Sequence, residues 1–339
     1  MRSSARSLVA PLAAAALLLA LAATPVLAEH SHLHTSMGDD DDSDPAWLMS
    51  GTWTGGLDHD HPGRLYLNLE CRDDARSSRS QWGEVESGQI EGLDLRSLGS
   101  GRTPVDFTVK RDAGTIHLHG EWSGTRGGGT FELQPDARFA AELERRGAGR
   151  PTPAQHARLL LSNANLGLLD ALAREKYATP RVAMLLRMTE HAVREQTVAD
   201  FAKVGYRLES LDALVTAVDH GVNPEFITEM SQAGYRNLEF EALLQARDHG
   251  ADASFVEDLA DAGYTSVPLE EVIRARDHGV DGGYVASLKR AGFDRLTLDE
   301  AIRARDHGVT SGYARHMREK QPHCTLDDVI GWRDRGVRF

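Results

Sequence analysis

The hydrophobic residues of the chain follow two patterns of different period, one in each half. From Trp47 to about Gln134, apolar and polar residues alternate, which is typical of half-buried β-strands. The segment 105–133 predicts an antiparallel meander whose second turn is the glycine-rich stretch 124–129. The alternation turns the following residues inward: Val105, Phe107, Val109, Ile116, Leu118, Trp122, Phe131 and Leu133. Residues 46–134 are therefore predicted to form a small antiparallel β domain.

In the second half, apolar residues occur at helical spacing, and this pattern repeats along the chain. Phe226 and Met230 lie four positions apart and precede Gly234, and the same pattern returns 29 residues later. The spacing places the apolar pair on one face of a helix, and the glycine suits the left-handed residue that closes it. A second helix is predicted to begin at a polar cap, as at Thr297, and acids follow in its first turn. Each repeat is thus a pair of short helices.

A tetrapeptide marks the period. Asp-His-Gly-Val, with Ala in place of Val once, begins at Asp219, Asp248, Asp277 and Asp306, in steps of 29 residues. An altered copy, Asp-Arg-Gly-Val, follows at Asp334. A fixed period of this length is typical of stacked structural units. Extended backwards, it predicts seven copies, at 135–163, 164–192, 193–221, 222–250, 251–279, 280–308 and 309–336. The predicted fold is α+β, with a solenoid-like α-helical repeat domain over 135–339.

The tetrapeptide permits a chemical and a structural interpretation. Four Asp-His pairs at regular steps would suit a metal or catalytic row. However, neighbouring copies of stacked helix pairs are expected about one helix-pair width apart, about 16–20 Å, which is too far for a shared ion. The favoured interpretation is structural, because His suits the negative end of a helix, Gly closes it, and Val enters the next core.

Arginines accompany the tetrapeptide at two positions of the repeat. Six of them are candidate partner-binding residues: Arg247, Arg276, Arg305 and Arg333 at one position, and Arg274 and Arg303 at the other. One interpretation is that they bind an extended acidic partner or a carboxylate-bearing polymer. The other is that they pair with acids of the adjacent copy. Within one helix, Glu270 and Asp299 also stand four residues before Arg274 and Arg303, a spacing that favours ion pairs.

Composition and motifs exclude several classes of function. The net charge of −13 argues against nucleic acid as a partner, since phosphate binding needs a basic surface. The sequence has no nucleophile elbow, no His-Glu-x-x-His and no phosphate-cradling glycine loop. We therefore expect a non-enzymatic protein without a cofactor, which binds a protein or peptide. The sequence does not indicate an oligomeric state.

The N-terminus predicts export. Residues 1–28 have the basic start, apolar run and small-residue exit of a signal peptide cleaved after Ala28, so the mature chain is expected in the periplasm or outside the cell, without a membrane span. Residues 29–45 are rich in His and Asp and are expected to be disordered. Their His30, His32 and His34 have the residue type that binds transition metals, so a metal-binding or metal-sensing envelope protein is the alternative function.

Further histidines and two cysteines complete the candidate chemistry. His117 and His119 share the outward face of a predicted strand, which is also a metal-ligand spacing. Cys71 and Cys324 would meet oxidising conditions after export, and a disulfide between them is one interpretation. Two buried thiols are favoured, because Cys71 continues the apolar alternation of its strand.

Several runs resemble a family of bacterial repeats. Ala-Arg-Asp-His-Gly-Val at 275–280 and His-Gly-Val-Asn-Pro-Glu-Phe at 220–226 are similar to repeats of certain bacterial exported and membrane proteins, some of them fused to membrane metallopeptidases of the beta-lactam-sensor type. Residues 107–115 and 129–131 resemble the segment before those repeats. The resemblance covers nearly all of the mature chain and implies a sensory or interaction module in the cell envelope. Protease activity is not implied, because the zinc motif and the membrane helices of the peptidase part are absent here.

Overall fold

The fold was analysed in a computed structural model that describes residues 45–57, 64–72, 78–95, 98 and 101–338. These residues form an antiparallel sheet followed by a series of short helices, which confirms the predicted α+β class. The predicted signal peptide and nearly all of the His- and Asp-rich segment lie outside the described residues. Within them, no helix has both the length and the apolar character needed to cross a membrane.

The described part of the first half is a seven-stranded sheet in which every neighbour is antiparallel. The strand order is β3-β2-β1-β7-β6-β5-β4, so the first and last strands of the sequence segment meet in the middle of the sheet. The strands are β1 Ser50–Leu57, β2 Arg64–Arg72, β3 Ser78–Glu86, β4 Ile90–Glu91, β5 Arg102–Arg111, β6 Gly114–Ser123 and β7 Arg126–Pro135. Strands β5 to β7 are the predicted meander.

One face of the sheet is apolar and buried. All eight residues predicted to face inward are buried, which confirms the alternation read from the sequence. Trp53 packs edge-on against Phe107 and lies stacked beside Trp122, with ring centroids 5.5 and 6.3 Å apart. The large aromatic rings therefore fill the centre of this core.

The glycine-rich turn predicted at 124–129 is shorter in the structure. Strand β7 already begins at Arg126, so the glycines at 127–129 lie within a strand. A Cβ atom on Gly127 would lie 2.2 Å from the ring of Trp122, and one on Gly129 would lie 1.9 Å from the carbonyl oxygen of His119. These glycines are needed for close approach of a ring and a neighbouring strand rather than for a turn.

The described part of the second half contains seven helix pairs, one in each predicted copy. The helices are α1 Ala137–Arg145, α2 Pro153–Leu161, α3 Leu166–Arg174, α4 Val182–Glu190, α5 Glu195–Lys203, α6 Leu211–Asp219, α7 Pro224–Gln232, α8 Phe240–Asp248, α9 Ala253–Asp261, α10 Leu269–Asp277, α11 Gly282–Arg290, α12 Leu298–Asp306, α13 Ser311–Lys320 and α14 Leu326–Asp334. Apolar residues at the predicted positions, such as Phe226, Met230 and Leu259, are buried.

Successive copies pack with equivalent helices side by side. First helices contact first helices, as in α7 with α9, and second helices contact second helices, as in α8 with α10 and α10 with α12. Helices in direct contact lie about 8–10 Å apart. The predicted separation of about 16–20 Å between copies is therefore wrong, because it assumed that a whole helix pair lies between equivalent residues.

The second helices end as the tetrapeptide predicts. Asp219 is the last residue of α6 and His220 is its C-cap. Gly221 has a φ of +69°, and the amide of Val222 donates back to the carbonyl of Ala217 at 2.8 Å. The glycines at 250, 279 and 308 have φ values of 66–67°, which favour glycine. In the degenerate copies the corresponding left-handed position is held by Asn163 and by the residue at 192. The tetrapeptide is thus a helix-ending sequence.

The sheet is joined to the first two copies by buried polar contacts. Arg111 of β5 donates to the carbonyls of Leu160 and Leu161 at the end of α2, at 2.8 and 2.7 Å. Arg79 of β3 forms a 2.8 Å ion pair with Glu190 at the end of α4, and both side chains are about nine-tenths buried. The described residues accordingly belong to one compact unit, within residues 31–339.

Candidate binding surface of the helical copies

The Asp and His of the tetrapeptide connect neighbouring copies. Nδ1 of each histidine lies 2.7–2.8 Å from a carboxylate oxygen of the aspartate in the next copy. The five pairs are His191–Asp219, His220–Asp248, His249–Asp277, His278–Asp306 and His307–Asp334. An ionised carboxylate can only accept, so the proton of each hydrogen bond is on Nδ1.

This arrangement accounts for the Asp-His repetition without a metal. Each aspartate and histidine that are adjacent in sequence point to different neighbours, the aspartate to the preceding copy and the histidine to the following one. Among the described residues, no group of three or more His, Cys, Asp or Glu side chains could hold a metal ion. The sequence carried a signal for these contacts, since each pair is separated by 27 or 28 residues, close to one repeat period.

The arginine that precedes each aspartate lies over an aromatic ring of its own copy. We call Arg247, Arg276, Arg305 and Arg333 the arginine row. Their guanidinium carbons lie 5.0–5.3 Å from the ring centroids of aromatic residues in the first helix of the same copy. The rings are those of Phe226, Phe255, Tyr284 and Tyr313, in the same order. The interaction of a cation with a ring face holds each guanidinium in a defined place.

The tetrapeptide glycine lies beside the same guanidinium. A Cβ atom on Gly221 would lie 3.3 Å from Nε of Arg247, and one on Gly250 would lie 3.4 Å from Nε of Arg276. The arginine row therefore covers the ring of its own copy and the helix end of the preceding copy. This contact explains why the arginine recurs immediately before the aspartate.

The arginine row differs from the second set of arginines in its electrostatic partners. Within the part of the chain that the structure describes, none of its four side chains forms an ion pair or a hydrogen bond with a carboxylate, and all four are exposed. By contrast, Arg274 pairs with Asp299 and Arg303 pairs with Asp327 at 2.6 Å, each across the boundary between copies. The pairing of these two arginines within their own helices is therefore not what the structure shows. Instead, Arg274 and Arg303 each form an ion pair with an acid of the next copy.

The remaining candidate residues occupy separate places. His30, His32 and His34 lie outside the described residues. His117 Nε2 lies 3.1 Å from Oε1 of Gln134, and His119 Nδ1 lies 3.1 Å from a carboxylate oxygen of Asp106. Both histidines face outward, as predicted, and each has a protein partner.

Both cysteines are buried and free, which confirms the favoured interpretation and makes the disulfide interpretation wrong. The thiol of Cys71 lies 3.6 Å from the carbonyl oxygen of Leu48. Its burial raises the pKa of Cys71 to about 12. This cysteine is therefore a core residue with little thiolate at neutral pH.

A second aromatic position also joins neighbouring copies, through hydrogen bonds that the sequence did not predict. An aromatic residue follows the left-handed residue at the ends of α3, α5, α7, α9 and α11. The hydroxyl groups of Tyr177, Tyr206 and Tyr235 donate to backbone carbonyls of the next copy at 3.0, 3.0 and 2.5 Å. These rings are only half-buried. We call this place in the repeat the ring position.

Comparison with known proteins adds no relative: no family model matches the chain, and neither a curated protein nor a solved structure matches it.

Proposed function

We propose that this protein is an exported, non-enzymatic scaffold that binds a protein or peptide through its arginine row. The observation that carries the proposal is the set of four exposed guanidinium groups, each held on an aromatic ring and none paired with a carboxylate of the described chain. The partner is a chain with regularly spaced carboxylates. Such a partner would be met in the cell envelope, as the signal-peptide pattern of residues 1–28 and the resemblance of the repeats suggest.

The arginine row lacks carboxylate partners among the described residues although the chain is rich in acids, which favours a role for these arginines in binding. The chain has 51 acidic residues against 38 Lys and Arg, so carboxylates are plentiful. The second arginine set takes acids from the next copy, whereas the arginine row stays unpaired at the same copy boundaries. A guanidinium presents a planar fork of donors that fits a carboxylate with two parallel hydrogen bonds. Stacking on a ring fixes that fork before the partner arrives, which lowers the cost of ordering it on binding.

The stacking of the copies indicates the shape of the partner. Because equivalent helices are in contact, successive members of the arginine row are expected about 8–10 Å apart. A polyproline II segment rises about 3.1 Å per residue and turns once in three residues, so every third side chain lies on one face about 9 Å from the last. An extended segment with an acid at every third position therefore matches the arginine row.

A designed peptide tests the proposal directly. The ligand is a fluorescent peptide with four Glu-Pro-Pro units, and its affinity for the mature protein is measured by anisotropy at low salt. Replacing all four arginines of the row by Gln should weaken binding at least about tenfold, since each charge-assisted hydrogen bond contributes about 1.5–3 kcal/mol.

The chain provides a matched control. Arg274→Gln with Arg303→Gln removes arginines that are already paired with Asp299 and Asp327, so this double variant should bind almost as well as the wild type. Circular dichroism verifies that both variants are folded. Equal loss in the two variants would show that general charge, rather than the arginine row, attracts the peptide.

A binding role is proposed over a catalytic one because the recurring polar side chains contact each other. The histidines of five copies are held by aspartates of the next copy, and the second arginine set is held by acids. General acid–base chemistry needs a side chain free to reach a substrate proton. We assign the histidines, the aspartates and the second arginine set to contacts between copies, and the arginine row to binding of the partner.

A further inference from the structure

At three boundaries between copies, the ring position is covered by a cation from the following copy. Arg207 lies over the ring of Tyr177 at 4.6 Å, and Nζ of Lys289 lies over Tyr264 at 4.8 Å. Arg318 lies over Phe293 at 5.1 Å. These rings stand at the ends of first helices, whereas the arginine row stands at the ends of second helices. The ring position is thus a second and separate place where cations bind.

Two of these cations also reach a carbonyl at the helix end. Nε of Arg207 donates to the carbonyl of Glu175 at 3.3 Å, and Nζ of Lys289 donates to the carbonyl of Ala262. Glu175 and Ala262 are the C-cap residues that directly follow α3 and α9, three repeat periods apart. A ring face and the carbonyl end of a helix both favour positive charge, so together they make a recurrent cation site.

At Tyr206 this site is not filled from within the described chain. Lys289 lies in the last turn of α11, and the same position two periods earlier is Ser231, whose side chain is too short to reach the ring. A surface cavity of about 460 Å³ opens there. Its walls include Val204, Tyr206, Ile227, Ser231, Leu238 and Leu243. We call this cavity the Tyr206 slot.

The Tyr206 slot keeps the other parts of the cation site. Val204 is the C-cap residue of α5, in the place that Ala262 has after α9, and it is 40% exposed. Tyr206 presents its half-buried ring, while its hydroxyl is held by the carbonyl of Leu238 at 3.0 Å. The pKa of Tyr206 is raised by burial and by the nearby carboxylates of Glu239 and Glu209. The slot therefore combines a ring, a helix end and negative charge.

One basic side chain of the chain itself stands near enough in sequence to be considered. Arg236 occupies the position from which Arg207 covers Tyr177, one period later. Its side chain is exposed, it forms no cation–π pair with Tyr206 among the described residues, and it does not line the slot. The slot is thus available to a cation from outside the chain.

We propose that the Tyr206 slot binds a lysine or arginine side chain of a partner protein, in the place that Lys289 takes at Tyr264. The aliphatic stem would lie against Ile227 and Leu243, and the charged end would lie between the ring and the acidic side chains. This site takes a basic residue, whereas the arginine row takes carboxylates. Its occupancy does not depend on the function proposed for the row.

Nuclear magnetic resonance of labelled tyrosines provides the test. The chain has seven tyrosines, so selective labelling gives few signals, and Tyr206→Phe identifies the signal of Tyr206. The mature protein is titrated with lysine blocked at both ends, and with blocked norleucine as the uncharged analogue. We expect a saturable shift of the Tyr206 signal with blocked lysine alone. An equal shift with norleucine, or equal shifts of all tyrosines, would overturn the proposal.

Ser231→Lys supplies the cation from within and is the decisive variant. It should abolish the response of Tyr206 to blocked lysine while leaving the thermal midpoint equal or higher, since the new side chain can stack as Lys289 does. Gln321→Lys adds the same charge at an exposed position in the last copy and should leave the response intact.

Two further variants keep the test independent of folding. Glu239→Gln should weaken the response, and Arg236→Ala should preserve or strengthen it. A full response in Ser231→Lys, or loss of response in Arg236→Ala, would contradict the assignment.

Discussion

Glu190 joins the sheet to the helical copies, and its substitution gives the sharpest stability prediction. Its carboxylate accepts a hydrogen bond from Arg79 of β3 at 2.8 Å and two from Arg158 of α2, both at 2.9 Å. The side chains of Glu190 and Arg79 are 10% and 9% exposed, whereas that of Arg158 is 27% exposed. Glu190→Gln keeps the shape and removes the charge that both guanidiniums share.

The expected loss in the free energy of unfolding arises because Arg79 stays buried without its negatively charged partner. Removing one partner of a buried ion pair costs about 3–5 kcal/mol, because the other charge stays without compensation. Arg158 can turn towards solvent, and the Gln carbonyl still accepts one hydrogen bond, so we expect the lower end, about 3 kcal/mol. Burial lowers the pKa of Arg79, which agrees with a guanidinium that depends on its partner.

Urea unfolding with two signals measures this effect. Tryptophan fluorescence, measured in a Trp332→Phe background because Trp332 lies in α14, reports on the sheet through Trp53 and Trp122. Circular dichroism reports mainly on the helices. We expect Glu190→Gln to lower both midpoints, or to separate them if the sheet loosens from the copies. The paired change Arg79→Met with Glu190→Leu should cost less than Glu190→Gln, because it removes both buried charges. A loss below about 1 kcal/mol in Glu190→Gln would refute the reasoning.

Three further predictions concern single buried residues. Leu259→Ala should destabilise the protein by about 2–5 kcal/mol in urea, since Leu259 is 1% exposed, and an unchanged midpoint would show that this position is not core. Burial lowers the pKa of His156, whose Nε2–H donates to the carbonyl of Ala113, so its contribution to stability is present above the unfolded pKa of about 6.5 and is lost as pH falls through the folded pKa. His156→Gln should reduce the loss of stability between about pH 7.5 and pH 5.5, and an unchanged pH dependence would contradict this role. Cys71 and Cys324 should resist a thiol reagent in the native protein and both react after unfolding without reductant, whereas a single disulfide would leave no thiol to react.

The periodic features of the fold could be predicted from the sequence because they depend on local physics. Alternation decides which strand residues face the core, as at Phe107 and Trp122, and spacing of four decides the buried face of each helix. The left-handed glycine at 221 is likewise a local requirement. These are the parts of the prediction that the structure confirms.

The errors arise where the answer depends on how the copies pack. A period of 29 residues fixes which residues are equivalent, but it does not say whether equivalent helices touch. The distance between copies was therefore overestimated, and the bond between His220 and Asp248 was missed. Likewise, Arg274 and Arg276 are both arginines of one helix, and only the packing decides that the first meets an acid and the second a ring.

The glycines at 127–129 illustrate the same limit within the sheet. A run of glycines is typical of a turn, but here the rings and strands beside it require the missing side chains. Only the paired strand reveals that Trp122 lies over Gly127. Sequence patterns thus indicate flexibility of the backbone more readily than the need for close approach.

Recognition of carboxylates by the arginine row, at the spacing of the copies, can be tested by comparing two isomeric peptides. One peptide has four Glu-Pro-Pro units, and the other has the same composition with its four glutamates consecutive, so both carry equal charge. At about 9 Å between acids, only the first can meet four arginines at once. We predict that the mature protein binds the first peptide more tightly by about tenfold, and that replacing the arginine row by Gln removes the difference. Equal affinity for the two peptides would contradict the account.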